Sequence, residues 1–206
     1  MIITLENLRR GLERREQIWP NDVDVRNQEY HDIYDARAQG VTKAWWVATM
    51  KRLSKWSANR PCPNDLIHNR GMRRLGQIRQ QYNRLISAGE PCITNLQWTY
   101  IEQLFGIAST IKPSRTPVFA SKMCHFLFPK LFIVMDNKAT GVGHYELFWR
   151  GLKDAWNGFE QKDQAQTILF NAINNRQNLP LHPHYPVETT IMEICAIGYN
   201  NRPNNI

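Results

Sequence analysis

Residues 117–137, PVFASKMCHFLFPKLFIVMDN, are the most apolar stretch of a 206-residue chain, with a lysine, Lys122, near their start and an aspartate, Asp136, near their end. An ammonium or a carboxylate is costly to bury without a partner. The segment therefore either holds a buried ion pair joining two helices or carries two groups for chemistry. Its local signals are clear. Thr116 can cap a helix, and Pro117 suits the first helical position, where a missing N–H costs nothing. Pro129 ends that helix, predicted over 117–128. KLFIVMD follows, too short for a helical stripe of its own, and its Ile133 and Val134 favour extended backbone. Asp136 or Asn137 then caps a further helix that includes YELFWRGLKDAW, residues 145–156.

Outward from this stretch, apolar residues recur mostly at three and four, which predicts helices. TKAWWVATMKRLSKW (42–56) places Trp45, Trp46, Thr49, Leu53 and Trp56 at that spacing, with Thr42 as N-cap and NRPCP as a stop. NRGMRRLGQIRQQYNRLI (69–86) sets Met72, Leu75, Ile78, Tyr82 and Leu85 on one face. Arg70, Arg73, Arg74, Arg79 and Arg84 make the rest basic, as a solvated face or a phosphate-contacting one. NLQWTYIEQLFGIA (95–108) predicts another helix, joined by the polar connector STIKPSRT to the helix at Pro117. A final helix, YPVETTIMEICAIGY (185–199), follows the proline-rich LPLHPHYP. The expected fold is all-α: one helical unit over 1–206, divisible into halves 1–92 and 93–206. It has a helix-hairpin-helix-like element around 95–128 and a cleft between the halves.

Composition bounds the function. The hydrophobic fraction is 42% and charged residues are 21%, a globular rather than low-complexity balance. Lysine and arginine outnumber acids 26 to 18, a formal charge of +8. Such an excess attracts polyanions, nucleic acid before anionic membrane. Cys62, Cys92, Cys124 and Cys195 lie far apart with no CxxC pair, which speaks against zinc and against a disulfide framework. His182 and His184 have a metal-like spacing, but they lie in a loop with no third histidine or carboxylate near in sequence. No cofactor or metal is expected. No apolar run has the length of a bilayer span, and the start lacks a signal-peptide pattern, so a cytoplasmic monomer with no membrane partner is expected.

Lys122 falls in the second turn of its helix, where the positive end of the dipole and apolar surroundings both act against an ammonium. An accessible neutral amine attacks carbonyl-like carbons to form a Schiff base. Asp136, at a helix start, is placed where backbone N–H groups stabilise a carboxylate. A fixed carboxylate can in turn stabilise a developing sugar oxocarbenium ion. Together the two suit removal of a base from DNA.

SRTPVFASKMCHFLFPKLFIVMDNKA (114–139), with AWWVATMKRLSKWSANRP (44–61) and IHNRGMRRLGQI (67–78) upstream, resembles the helix-hairpin-helix DNA glycosylase superfamily. The likeness is to its bacterial members with an 8-oxoguanine DNA glycosylase fold, and it covers roughly residues 42–145. It implies that Lys122 is the Schiff-base lysine of a bifunctional glycosylase and AP lyase, that Asp136 is the catalytic aspartate, and that KPSRT is a hairpin gripping backbone phosphate. Lys112, Ser114 and Arg115 are suitable phosphate donors there, with Ser121 and Lys138 as further DNA-contacting candidates. The partner implied is double-stranded DNA carrying a damaged or modified base. Such an enzyme holds an extruded base between aromatic or apolar surfaces, for which His125, Trp46 and Tyr145 are the leading candidates in a set that also includes Trp56, Trp98, Phe119, Phe128 and Trp149, most of them expected in the core. The chain departs from the superfamily pattern in its glycine-free hairpin, IKPSRTPV. It also has no amino-terminal β domain and no cysteine cluster for an iron–sulfur centre.

Two other readings use the same residues. One is a helix-hairpin-helix-type module that binds DNA without catalysis. The other is a helical protein-interaction protein whose charge is incidental.

Overall fold

The computed structural model describes residues 2–20, 22–87, 89–141, 143–174 and 180–202. Among them are nine α-helices and no strand, which makes the chain all-α. They are α1 (Leu5–Ile18), α2 (Asp22–Ala38), α3 (Lys43–Lys55), α4 (Asn64–Ile86), α5 (Trp98–Ser109), α6 (Pro117–Leu127), α7 (Tyr145–Asn157), α8 (Lys162–Asn174) and α9 (Val187–Asn200). The chain divides into two compact units, Met1–His31 with Met135–Ile206, and Asp32–Val134. The divisions fall after His31 and after Val134, whereas the sequence suggested halves meeting at 92 and 93.

In the first unit α1 packs along α9, and α8 touches both. The approach of α1 to α9 is set by glycine. A Cβ on Gly11 would lie 1.9 Å from the Ile194 carbonyl oxygen, and one on Gly198 would lie 1.9 Å from that of Asn7. Backbone therefore meets backbone, a distance that no residue with a side chain allows. Thr4 caps α1 by accepting the Asn7 N–H at 3.0 Å. The sequence reading did not identify α1, α2 or α8.

In the second unit α3 packs on α4 and α6, and α5 lies against α4 and α6. Thr42 caps α3 as expected, accepting the Trp45 N–H at 3.2 Å. α3 stops before the expected NRPCP. Ser57 turns into the left-handed region at φ 53°, its N–H donating to Ser54 and that of Ala58 to Leu53. This is a Schellman close with serine where glycine is usual. α4 begins at Asn64, five residues before the expected NRGMRR, and Pro63 at its N-cap offers no side-chain bond. Thr116 stands at the N-cap of α6 with Pro117 at the first helical position, yet its hydroxyl makes no capping bond and is buried without a partner. α6 ends at Leu127, as Pro129 requires, and residues 132–136 belong to no helix or turn.

Arg37 secures the end of α6. Its guanidinium pairs with both Glu90 oxygens at 2.9 and 2.8 Å, donates to the Leu127 carbonyl at 2.8 Å and lies over the Tyr34 ring at 4.6 Å. A planar fork satisfies all of these at once, which a lysine cannot do. No helix among the described residues is long and apolar enough to cross a membrane.

Candidate functional site

Positive charge is concentrated in one unit. Fifteen of the 26 lysines and arginines but five of the 18 acids lie in Asp32–Val134, so that unit carries +10 and the other −2. Lys122 belongs to the basic unit and Asp136 to the other.

Lys122 is buried in α6, and its amine donates to the Trp56 carbonyl at 3.2 Å. That carbonyl belongs to the C-cap of α3, where the negative end of a helix dipole favours a cation. The surroundings of this lysine thus include an acceptor that the numbering of α6 alone could not reveal. The amine lies 6.0 Å from the centroid of the Trp56 ring, within cation–π reach. His125, one turn along α6, is buried and donates from Nδ1 to the Phe132 carbonyl at 2.7 Å, its ring 6.2 Å from that of Trp56. Phe126 meets the indole edge-on at 4.8 Å. Trp56 is itself half-buried, so it presents part of a fixed aromatic surface to solvent beside the lysine amine.

The loop carrying Trp56 is pinned by a second lysine. Lys112, expected at the DNA surface, is buried, and its amine donates to the carbonyls of Ala58 at 2.8 Å and Arg60 at 2.6 Å. Burial lowers its pKa; the neighbouring Cys62 thiol opposes this and the Lys122 charge adds to it. Two lysines from either side of one hairpin thus hold three alternate carbonyls of Trp56–Arg60. The Asn59 amide ties the same loop to Ser54 and Asn64 at 2.8 and 2.9 Å. Lys112 is a loop anchor rather than a phosphate ligand.

The hairpin between α5 and α6 is a β-turn from Lys112 to Arg115, closed by the Arg115 N–H on the Lys112 carbonyl at 3.0 Å with Pro113 in the corner. Arg115 takes φ 48°, the left-handed conformation that a glycine would adopt without cost. Ser114 and Arg115 are exposed. Ser121 is not available to DNA: it is fully buried and its hydroxyl donates to the Val118 carbonyl at 3.0 Å.

Asp136 does not cap α7, which starts nine residues later with His144 at its N-cap. Its Oδ1 accepts the Lys138 N–H at 3.0 Å, an Asx turn, while its own N–H donates to the Thr140 hydroxyl at 2.8 Å. The carboxylate is half-exposed and fixed by this turn, and the Lys138 side chain is exposed beside it in sequence. Trp46 and Tyr145, offered as base-pocket residues, are core. Trp46 is fully buried with its indole N–H on the His68 carbonyl at 3.1 Å, and Tyr145 is buried in the other unit with its ring 6.0 Å from that of Phe148.

The basic face of α4 is smaller than its sequence suggests. Arg70 donates to the Ile111 and Thr110 carbonyls at the end of α5, at 2.7 and 2.5 Å, Arg79 to that of Val41 at 2.9 Å, and Arg84 to that of Tyr100. Arg73 and Arg74 bond only within their own helix, to Asn69 and Gln77. Trp56 stood among the aromatic candidates of the sequence, whereas the loop that follows it, Ala58 to Arg60, was not singled out, because its lysine partners are far away in sequence. No protein-family model, curated protein or solved structure matches the chain.

Proposed function

We propose that the chain is a DNA glycosylase with AP-lyase activity, using Lys122 as the Schiff-base nucleophile and Asp136 as the carboxylate that stabilises the sugar cation. The observation that carries this reading is the setting of Lys122. A lysine amine that donates to the Trp56 carbonyl stands beside the half-exposed Trp56 indole and the His125 ring, in the unit that bears the whole positive excess. An amine so placed is sheltered from bulk water yet borders an aromatic surface of the kind on which an extruded base rests. Ser114 and Arg115 at the exposed turn supply contacts to the phosphate backbone.

Borohydride reduction tests the proposal. Duplexes carrying an abasic site, an oxidised purine or a modified pyrimidine should be trapped covalently by the native protein. Lys122→Gln should abolish the adduct, and Asp136→Asn should lower the excision rate by at least a hundredfold. Absence of any adduct on every substrate refutes the catalytic role.

The non-catalytic DNA-binding reading is favoured by one feature. Lys122 is 6% exposed, and its amine serves a structural bond to the loop. In that case Lys122→Gln loses stability and leaves DNA affinity unchanged.

A further inference from the structure

We infer that the exposed lysine row of α3 is a second nucleic-acid surface, tracking duplex phosphates without regard to sequence. α3 contains no acidic residue. Its buried side, Trp45, Trp46, Thr49, Met50 and Leu53, packs inward, and Lys43, Val47, Lys51 and Lys55 follow one another at intervals of four along the exposed side. Residues four apart form a ridge on a helix surface. The row runs about 18 Å at 1.5 Å per residue, the length of about five base pairs at 3.4 Å per phosphate on a strand. It belongs to the unit that carries +10, while the rest of the chain carries −2. Unlike the arginines of α4, Lys43 and Lys51 make no hydrogen bond or ion pair among the described residues. Arg70, Arg79 and Arg84 serve carbonyls of their own fold, whereas Lys43 and Lys51 serve none among the described residues, and α3 carries no acid beside them. Long, flexible ammonium side chains at this spacing suit non-specific contact with phosphate, which needs charge rather than a fixed fork.

The inference rests on the DNA-binding half of the proposed function and not on the chemistry of Lys122. Its test is fluorescence anisotropy of a labelled, undamaged duplex of about 20 base pairs, titrated over about 50 to 200 mM salt. Lys43→Gln/Lys51→Gln/Lys55→Gln should lower the slope of log affinity against log salt by about 2 to 3, at about 0.9 per phosphate contact, and weaken binding at the lowest salt at least tenfold. Arg9→Gln/Arg202→Gln, which removes charge from the other unit, should leave both within error of the parent. The surface is refuted if the triple variant keeps the parental slope and affinity, if both sets lose affinity equally, or if the parent binds anionic vesicles and no duplex. Borohydride trapping on damaged duplex is scored in parallel. A flattened slope without any adduct keeps the surface and removes the catalytic role, whereas an adduct with an unchanged slope does the reverse.

Discussion

Gly71→Ala and Gly76→Ala add the same methyl group to one helix, α4, and should move stability in opposite directions. Alanine is favoured over glycine in a helix interior by about 1 kcal/mol. At Gly76 an added Cβ meets nothing within 4 Å, so that gain acts alone. The melting temperature should rise by about 2–4 °C for a chain of this size. At Gly71 the Cβ would lie 1.9 Å from Cζ2 of Trp46, 2.4 Å from Cε2 and 2.5 Å from Cη2. Carbon atoms in contact stand about 3.5–4.0 Å apart, so the ring must retreat by about 1.5 Å or more. Trp46 is fully buried, and its indole N–H is bonded to the His68 carbonyl. Retreat therefore loses a hydrogen bond of about 1 kcal/mol besides an overpacking cost of about 1–3 kcal/mol. Less the helix gain, a net loss of about 1–3 kcal/mol remains, and the melting temperature should fall by about 2–12 °C. Thermal unfolding followed by far-ultraviolet circular dichroism measures both, and the near-ultraviolet tryptophan signal should change only for Gly71→Ala. A Gly71→Ala protein as stable as the parent, or more so, refutes the packing of α3 on α4 described above.

Two further outcomes follow from buried groups. Lys112→Met should destabilise the chain by about 1–3 kcal/mol, because the Ala58 carbonyl, 2% exposed with its residue, loses its donor, while that of exposed Arg60 can turn to water. The native Lys112 pKa is depressed below the ordinary 10.5, so the unfolded chain binds the extra proton. Stability from this group is then fully present above 10.5 and is lost as pH falls through the lowered value. Urea midpoints of the parent should carry a rising alkaline component that Lys112→Met lacks. In native protein only Cys62 and Cys92, both half-buried, should react with an aromatic disulfide reagent within minutes. Cys124 and Cys195 are buried, with burial raising both thiols, Cys195 to about 12, and should react only after denaturation.

What was legible in the sequence was local. Thr42 ahead of an apolar period, Pro117 opening a helix and Pro129 closing it act within a few residues of themselves, and each stands where its chemistry puts it. The junction of α1 with α9 was not legible. Gly11 and Gly198 carry no side chain and so leave no mark in an apolar period, and their partners are far away in sequence. The same distance hid the role of Lys112. In the connector it looked like a surface cation, and only folding brings the carbonyls of Ala58 and Arg60 to it. Asp136 was read as a helix cap because a helix lies ahead of it, but the Asx turn on Lys138 competes at closer range and prevails. The candidate nucleophile was visible as a residue type in an apolar segment, whereas its acceptor at the end of α3 is a tertiary fact.

Arg115 marks a place where backbone strain and the proposed phosphate contact pull in different directions. A left-handed backbone costs a residue with a side chain about 1–2 kcal/mol, and glycine would be relieved of it. Selection on stability alone would therefore have no reason to retain arginine at this turn. Arg115→Gly should melt higher than the parent and bind duplex DNA more weakly, an opposed pair of changes that chemical denaturation and anisotropy can read on one sample. The turn would then be a position tuned by what lies outside the molecule, with a small part of the fold's stability given up to keep a charge at its tip.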